Sequence, residues 1–179
     1  MPEIKIRSAN PNDIETLSVF EHGYYSEYVW QMSLDVSSEN AQVEFRRTQL
    51  PRRVFVSYPR NKAAIFNYID QAEAFLIAEL ADRPVGYLKI ETQKESNIAR
   101  VSDLVISAPM RRQGIASGLL LAAMDLLTYR HFNTLVLEMQ SKNDPAIKMA
   151  NKLGFTFCGF RDHFFPNQEL ALFFSRFAR

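Results

Sequence analysis

Two acidic residues and one basic, glycine-containing turn are the parts of this sequence whose types and positions could do chemistry. Asp103 interrupts an apolar run that is typical of a buried strand, and Glu138 stands at the end of a second such run. Burying a carboxylate without a partner is costly, so each of them is either held in an ion pair or used, for example as a general base. The sequence leaves both alternatives open for both residues.

The turn extends from Arg111 to Ser117 and has the sequence RRQGIAS. It follows the strand predicted over 98–106 and leads into a helix, because apolar residues recur at helical spacing from Ile115 to Leu126. The first amides of a helix have no partner within it, and the helix dipole adds positive charge there. A phosphate could therefore bind on these backbone N–H groups.

Other phosphate-binding motifs do not fit this turn, which lacks both the P-loop pattern and the spaced glycines of the GxGxxG fingerprint. The alternative is a tight connection between a strand and a helix whose arginines are only solvated.

The elements that must position these residues form a mixed sheet. Strands over 75–80, 85–92 and 98–106 have short connections, which predicts an antiparallel meander. The last of these, the helix and a strand over 134–139 follow one another, so the two strands should be parallel. The other predicted elements are a strand around Ile4 and Ile6, a helix from Asn12 or Asp13 through Phe20 that Gly23 breaks into two, a loop over 33–40, a strand over 54–58, a helix over 63–72, a helix that begins at Asn143 or Asp144 and ends near Gly154, and strands over 155–160 and 170–174.

Aromatic residues cluster within the segment 21–32, EHGYYSEYVWQM. Such a cluster could hold a cationic amine through cation–π contacts, or it could belong to the core. Tyr28 and Trp30 are therefore candidate substrate-binding residues.

Composition restricts the class of protein. The chain has 179 residues, which predicts one domain, and 21 basic against 20 acidic residues leave a net charge of +1. This balance favours a small ligand over nucleic acid or an anionic membrane. With a single Cys158, no apolar run of membrane-spanning length and no signal-peptide core, we expect a cytoplasmic protein. The three histidines are too scattered for a metal site.

A local excess of basic residues between Arg46 and Lys62 admits a further alternative, a surface for RNA or an acidic substrate. The competing explanation is a set of solvated charges that protect a sheet edge. No nucleic-acid-binding motif is present in this segment.

Two motifs together resemble a known family. RRQGIA, from Arg111 to Ala116, resembles the [Q/R]xxGx[G/A] signature of the GNAT superfamily of acyl-CoA-dependent N-acetyltransferases. NDPAIKMANKLGF, from Asn143 to Phe155, resembles the segment of that family that forms a helix beside coenzyme A. Within the family, LVLEMQSKNDPA and QELALFFSRF are most similar to the streptothricin acetyltransferase group, whose members acetylate an amine of an antibiotic.

The resemblance implies an α/β fold in which a mixed, mostly antiparallel sheet is flanked by helices and a parallel strand pair splays apart at the cofactor site. It implies that acetyl-CoA is the co-substrate and that a primary amine attacks it directly in a ternary complex, with Asp103 and Glu138 as candidate bases. It assigns the pyrophosphate to the turn and the thioester and pantetheine arm to the preceding strand. The implied cofactor-binding residues are Leu104, Val105, Ile106, Arg111, Arg112, Gln113, Gly114, Ile115, Ala116, Ser117 and Asn143.

The sequence departs from the family at the general acid. A tyrosine that protonates the leaving thiolate in many members is replaced by Ala150, and a loop that carries a tyrosine in others has Phe164 and Phe165. The loss of this tyrosine is compatible with a slower enzyme and also with a non-catalytic acyl-CoA-binding module. The acceptor, a small-molecule or peptide amine, stays open, because a protein N-terminal or lysine acetyltransferase would share every cofactor residue. Whether the protein is a homodimer is also open.

Overall fold

The computed structural model describes residues 3–67, 69 and 73–177. The helices are α1 (Asp13–Ser18), α2 (Lys62–Phe66), α3 (Ile115–Tyr129) and α4 (Asp144–Lys152). The strands are β1 (Ile4–Ser8), β2 (Tyr24–Val36), β3 (Ala41–Val56), β4 (Ala74–Leu80), β5 (Arg83–Gln93), β6 (Ile98–Ile106), β7 (Thr134–Gln140), β8 (Thr156–Arg161) and β9 (Ala171–Phe177).

Seven of these strands form one mixed sheet in the order β1-β4-β5-β6-β7-β9-β8. The predicted meander is present, since β4, β5 and β6 are consecutive antiparallel neighbours. The strands β6 and β7 are parallel, and the other neighbours in the sheet are antiparallel. The predicted fold class, a mostly antiparallel sheet flanked by helices, is therefore confirmed.

The parallel pair splays apart halfway along its length. Pairing joins Ile98–Val101 to Thr134–Leu137 and goes no further. Beyond this point β6 continues to pair with β5, and β7 with β9. A gap therefore opens in the sheet at Ser102 and Glu138.

Helices cover both faces of the sheet because successive strand residues point to opposite sides. On one side the apolar stripe of α3, which includes the fully buried Leu119 and Leu127, packs against residues such as Leu88. On the other side α1 and α2 pack against residues such as Tyr87. The buried face of α3, the helix that begins after the turn, thus fixes this helix against the sheet.

The segment after Gly23 is a strand, and the prediction that Gly23 divides one helix into two is wrong. β2 pairs with β3 in a separate two-stranded sheet, and its side chains between Tyr24 and Met32 alternate broadly between more buried and more exposed positions. Aromatic residues in this alternation favour a strand once a partner strand is available. The loop predicted over 33–40 shrinks to a turn, in which Ser37 N–H donates to the Asn40 carbonyl.

Two other predicted elements differ in length. The strand predicted over 54–58 is the last part of β3, which ends at Val56. Of the helix predicted over 63–72, α2 occupies Lys62–Phe66, and residues 68 and 70–72 lie outside the described residues. In the described part of the chain, no helix is long and apolar enough to cross a bilayer.

Candidate functional site

The gap between β6 and β7 is a cleft that several distant segments line. β6 and β7 form its walls, the segment after β3 and the start of α4 contribute further side chains, and Phe165 comes from the loop between β8 and β9. The lining residues are Tyr58, Pro59, Arg60, Val101, Ser102, Leu104, Leu137, Glu138, Met139, Gln140, Asn143, Ala146, Met149 and Phe165.

The turn before α3 presents a row of free amides. The first hydrogen bond of the helix joins Gly118 N–H to the Gly114 carbonyl. Among the described residues, the backbone N–H groups of residues 112–117 donate no hydrogen bond, and no side chain caps the helix. These donors, together with the positive end of the helix dipole, can bind an anion.

The backbone of the turn is shaped for this role. Arg112 and Gly114 have positive φ values of 65° and 82°, and residues between and after them return to negative φ. Such alternation gathers successive N–H groups into a concave anion-binding nest. A Cβ added to Gly114 would meet no atom within 4 Å, so the space beside this glycine is open.

Arg111 holds the turn in place from inside. Its Nε donates to the Ile106 carbonyl at 2.9 Å, and its Nη1 donates to the Gly23 carbonyl at 2.9 Å. Nη2 donates to the carbonyl of Glu21. These bonds engage the guanidinium with the backbone, whereas Arg112 and Gln113 are exposed beside the nest.

The predicted residues of β6 and α4 lie beside the cleft. From Ser102 to Ile106, β6 has β5 on one side and no paired strand on the β7 side within the described residues. Leu104 lines the cleft, whereas Val105 is buried on the face that α1 and α2 cover. Asn143 also lines the cleft, and its side chain caps α4 by accepting from Ala146 N–H at 3.3 Å.

Asp103 is buried, with 2% of its surface exposed, and does not itself line the cleft. Tyr58 Oη donates to Oδ1 at 2.6 Å, and Ser102 Oγ donates to Oδ2 at 2.8 Å. Arg60 Nη1 lies 3.7 Å from Oδ1. Burial, and then the negative charge of Asp103, raises the pKa of Tyr58, so its hydroxyl keeps its proton and donates.

Glu138 is paired with two arginines. Its side chain is 0% exposed, and Arg60 Nη2 donates a hydrogen bond to its Oε1. Arg100 Nη1 lies 3.2 Å from Oε2, close enough for an ion pair but without the geometry of a hydrogen bond. The structure therefore brings both predicted carboxylates to the splay and gives each of them partners.

Tyr28 and Trp30 lie outside the cleft lining. The guanidinium carbon of Arg47 is 3.3 Å from the centre of the Tyr28 ring, so a cation of the protein already occupies that face. Trp30 is half-buried against the core, and its backbone N–H donates to the Ser141 carbonyl at 2.9 Å. Both residues fasten the hairpin to the end of β7 and the start of α4.

Arg47 strengthens this attachment. It donates to both oxygens of Asp144, at 2.6 and 3.0 Å. Burial opposes the ionisation of Asp144, but hydrogen bonds from Arg47 and Lys148 outweigh it and lower its pKa. The hairpin is thus linked to the first residue of α4 by an ion pair.

Most of the basic residues between Arg46 and Lys62 have separate partners. Arg46 lies 3.1 Å from Glu44, and the Lys62 ammonium donates to the Phe20 carbonyl. Arg60 points into the cleft, and Arg47 binds Asp144. The structure directs these charges to different neighbours.

The positions of the missing tyrosine contain no polar side-chain group. Ala150 is fully buried in the core, and Phe164 packs edge-on against Phe165 and Phe173. The structure instead brings Tyr58 into the cleft, a residue that the sequence analysis did not single out. Its only sequence signal is a tyrosine beside Pro59 and Arg60, at the end of a strand.

Ser102 was also missed, although it precedes Asp103. Adjacent residues of a regular strand point to opposite faces, so the residue pattern indicated no contact between them. Gln140 completes the polar wall, where Tyr24 Oη donates to its Oε1 at 2.9 Å and its Nε2 donates to Glu169. Burial opposes the ionisation of Glu169, but bonds from Lys142 and Gln140 outweigh it and lower its pKa.

Comparison with known proteins agrees with this geometry. Residues 38–155 match the model of the acetyltransferase (GNAT) family. No curated protein matches the chain in sequence.

Solved structures share the whole fold at low identity. A nourseothricin acetyltransferase has a TM-score of 0.82 at 19% identity, and the match covers 98% of this chain and 99% of that chain. A Bacillus anthracis structure, assigned as a streptothricin acetyltransferase and in complex with acetyl coenzyme A, has a TM-score of 0.78 at 21% identity, with 98% and 99% covered. The ribosomal-protein-S18-alanine N-acetyltransferase of Escherichia coli has a TM-score of 0.69 at 16% identity, with 98% and 94% covered. At these identities the likeness concerns the fold alone.

Proposed function

Because this chain belongs to the acetyltransferase (GNAT) family, we propose that it is an N-acetyltransferase that moves an acetyl group from acetyl-CoA to a primary amine. The amine attacks directly in a ternary complex, and no covalent enzyme intermediate is needed. The observation that carries the proposal is the row of free amides at residues 112–117, which lies next to the splay between β6 and β7.

The residues of the turn fit a coenzyme A pyrophosphate. Free N–H groups in a nest and at a helix start provide donors for its oxygens, and the space beside Gly114 is open. Arg112 and Gln113 are exposed beside the nest and can contact the phosphates, while Ser117 lies in the first turn of α3. When bound, acetyl-CoA supplies an activated acetyl group as a thioester.

The unpaired edge of β6 is suited to the thioester end. We assign backbone groups near Val105 and Ile106 to the pantetheine arm and the carbonyl, since this stretch lacks a strand on the β7 side within the described residues. Fixed N–H donors aimed at a carbonyl stabilise the negative charge that develops on its oxygen during attack. Leu104 and Asn143 complete the walls around this edge.

The attacking amine needs a base. An alkyl amine has a pKa of about 10.4 and is mostly protonated at neutral pH, so the attack is made by the neutral fraction, which has lost one proton to solvent. The nitrogen loses a second proton as the amide forms, and a group of the protein must take it. Glu138 is already engaged in ion pairs with two arginines. Asp103 is held mainly by two neutral hydroxyls, and we assign it as the base.

For the acceptor, we propose a small molecule with a primary amine, such as an antibiotic of the streptothricin type. Two of the similar structures carry the names of antibiotic acetyltransferases, which supports this choice. The alternative acceptor is a protein amine, in line with the E. coli structure that acts on ribosomal protein S18.

Melting temperature and thiol release together test the proposal. Acetyl-CoA at about 100 times its dissociation constant should stabilise the fold by about 2.7 kcal/mol, and the melting temperature should rise by roughly 5–10 °C. Free thiol should then appear when small amines, streptothricin-type antibiotics or peptides are added. Stabilisation without thiol release from any amine would indicate a binding module, and no stabilisation at all would refute the proposal.

A further inference from the structure

A β-bulge places the side chains of Ser102 and Asp103 on the same side of β6. Asp103 pairs with Lys89 and Val101 pairs with Ile90, so Ser102 is an extra residue with no partner on β5. Bulges re-aim side chains and occur next to active sites. The result is the 2.8 Å hydrogen bond from Ser102 Oγ to Asp103 Oδ2, which a regular strand would not allow.

The same bulge lies at the start of the splay. Val101 is the last residue of β6 that pairs with β7, so Ser102 is the first to face the gap. Ser102 lines the cleft, and Arg60 Nη1 holds its backbone carbonyl at 2.8 Å. Only 5% of its surface is exposed, so Ser102 is packed closely by the surrounding structure.

Two residues with hydroxyl groups lie between Asp103 and the cleft. Both of its oxygens accept hydrogen bonds, one from Ser102 and one from Tyr58, and these two residues line the cleft while Asp103 does not. An acceptor amine in the cleft therefore meets Ser102 and Tyr58 before it can reach the carboxylate. If Asp103 is the base, the proton that it takes from the amine must pass through the hydroxyl of Ser102 or of Tyr58.

We propose that Ser102 is the proton relay between the acceptor amine and Asp103, a step that rests on the proposed function. As the nitrogen of the neutral amine forms its bond to the acetyl carbon, it gives one N–H proton to Ser102 Oγ, and Ser102 gives its own hydroxyl proton to Asp103 Oδ2. The carbon–sulfur bond breaks, and its electron pair leaves with the sulfur. Asp103 ends protonated, and the hydroxyl of Ser102 is restored.

Tyr58 is the positioning residue of this pair. A phenolic oxygen is a weaker proton acceptor than an alcohol oxygen, because its lone pair is delocalised into the ring, so the serine is the better relay. The Tyr58 hydroxyl keeps its proton and holds Asp103 Oδ1 at 2.6 Å. It thereby orients Oδ2 towards Ser102.

A double-mutant cycle on turnover tests the relay. Ser102→Ala and Asp103→Asn should each lower kcat by about 100-fold or more, with little change in KM, which is the contribution typical of general base catalysis. The double variant should be no slower than the worse single variant, because both remove the same proton path. Ser102→Thr, which keeps a hydroxyl, should recover most of the rate, and Tyr58→Phe should cost less than tenfold.

Two further measurements do not depend on turnover. The rise in melting temperature with acetyl-CoA should be the same in Ser102→Ala as in the wild type. In the free protein, an infrared difference spectrum against Asp103→Asn identifies the Asp103 carboxylate band, and this band should shift in Ser102→Ala. Ser26→Ala is the matched control, since Ser26 is also buried but donates to the Tyr28 carbonyl, and the variant should shift neither the band nor kcat.

The outcomes separate the two proposals. Any of three results would overturn the relay alone. These are a wild-type kcat in Ser102→Ala, effects of the two substitutions that multiply in the double variant, and a carboxylate band that does not shift in Ser102→Ala. No turnover by the wild-type protein with any amine would overturn the proposed function, and the relay with it.

Discussion

Arg111 Nε donates a 2.9 Å hydrogen bond to the backbone carbonyl of Ile106, the last residue of β6. The same guanidinium also binds the carbonyls of Gly23 and Glu21 at the start of the hairpin. One side chain therefore joins the end of the central strand, the turn and the segment before β2. This arrangement separates the two arginines of the turn into one that holds the backbone and one that faces solvent.

Replacing these two arginines should give opposite results. Arg111→Ala should lower the free energy of unfolding by about 2 kcal/mol, because three carbonyls lose a charged donor that is partly shielded from water. Arg112→Ala should leave unfolding unchanged and weaken acetyl-CoA binding roughly fivefold, or about 1 kcal/mol. Urea denaturation and calorimetry measure the two effects. Wild-type stability in Arg111→Ala would contradict the assignment.

Substitutions of Gly114 test the proposed binding of a phosphate at the turn before α3. Gly114→Asp places a negative charge before the free amides and should abolish the rise in melting temperature with acetyl-CoA while the protein remains folded. Gly114→Asn is the matched control, since asparagine has the same size and tolerates the left-handed backbone at φ 82° equally well. The neutral variant should keep part of the response. Equal binding by both variants would mean that no anion is bound there.

Glu138 should contribute to stability more than to proton transfer. Glu138→Gln removes the charge that Arg60 and Arg100 share, and we expect the free energy of unfolding to fall by about 2 kcal/mol. This is less than for a fully buried pair, because both arginines keep some contact with water. Chemical denaturation and kcat should be measured together. A 100-fold loss of kcat with unchanged stability would make Glu138 the base in place of Asp103.

His22 should make stability depend on pH. Its ring is buried, and its Nδ1 donates to the Phe20 carbonyl while its Nε2 accepts from Tyr87 Oη. Burial lowers the pKa of His22. The unfolded chain binds a proton near pH 6.5 and the folded chain does not, so this contribution is complete above pH 6.5 and decreases as the pH falls. The loss between pH 6.5 and 5 is at most about 2 kcal/mol.

Melting temperatures from pH 8 to 5 measure this effect. His22→Gln should flatten the decrease, whereas the exposed His163→Gln should not. This pH range is separate from the range in which Asp13 and Asp144 affect stability. Hydrogen bonding to Arg7 lowers the pKa of Asp13. For Asp144, hydrogen bonds from Arg47 and Lys148 outweigh the effect of burial and also lower the pKa. Their contributions are present above about pH 4 and are lost below it. An unchanged slope in His22→Gln would contradict the prediction.

Local patterns in the sequence predicted most of the fold. Alternating or continuous apolar runs identified the meander of β4, β5 and β6, and helical spacing identified α3 from its first residue. The cap of α4 by Asn143 was also predictable, because a side-chain cap and the amide it binds are three residues apart. These features depend on neighbours in the chain, which the sequence displays directly.

The hairpin of β2 and β3 was not predictable in the same way. Its residues near Tyr24 and Trp30 read equally well as a helix rich in aromatics, and pairing with residues up to Val56 decided for a strand. Strand propensity depends on such context more than helix propensity does. The first part of the loop expected at 33–40 became part of β2 for the same reason, and a turn remains at 37–40.

For the site, the sequence alone determined that Asp103 and Glu138 stand on two neighbouring strands and that a glycine turn opens α3. Only the tertiary structure decided what each carboxylate contacts: Tyr58 lies 45 residues from Asp103, and Arg60 lies 78 residues from Glu138. A one-residue bulge then turned Ser102 towards its own neighbour. Periodicity shows which face of an element is buried, but the proton affinity and reach of a buried group depend on partners that folding brings from distant parts of the chain.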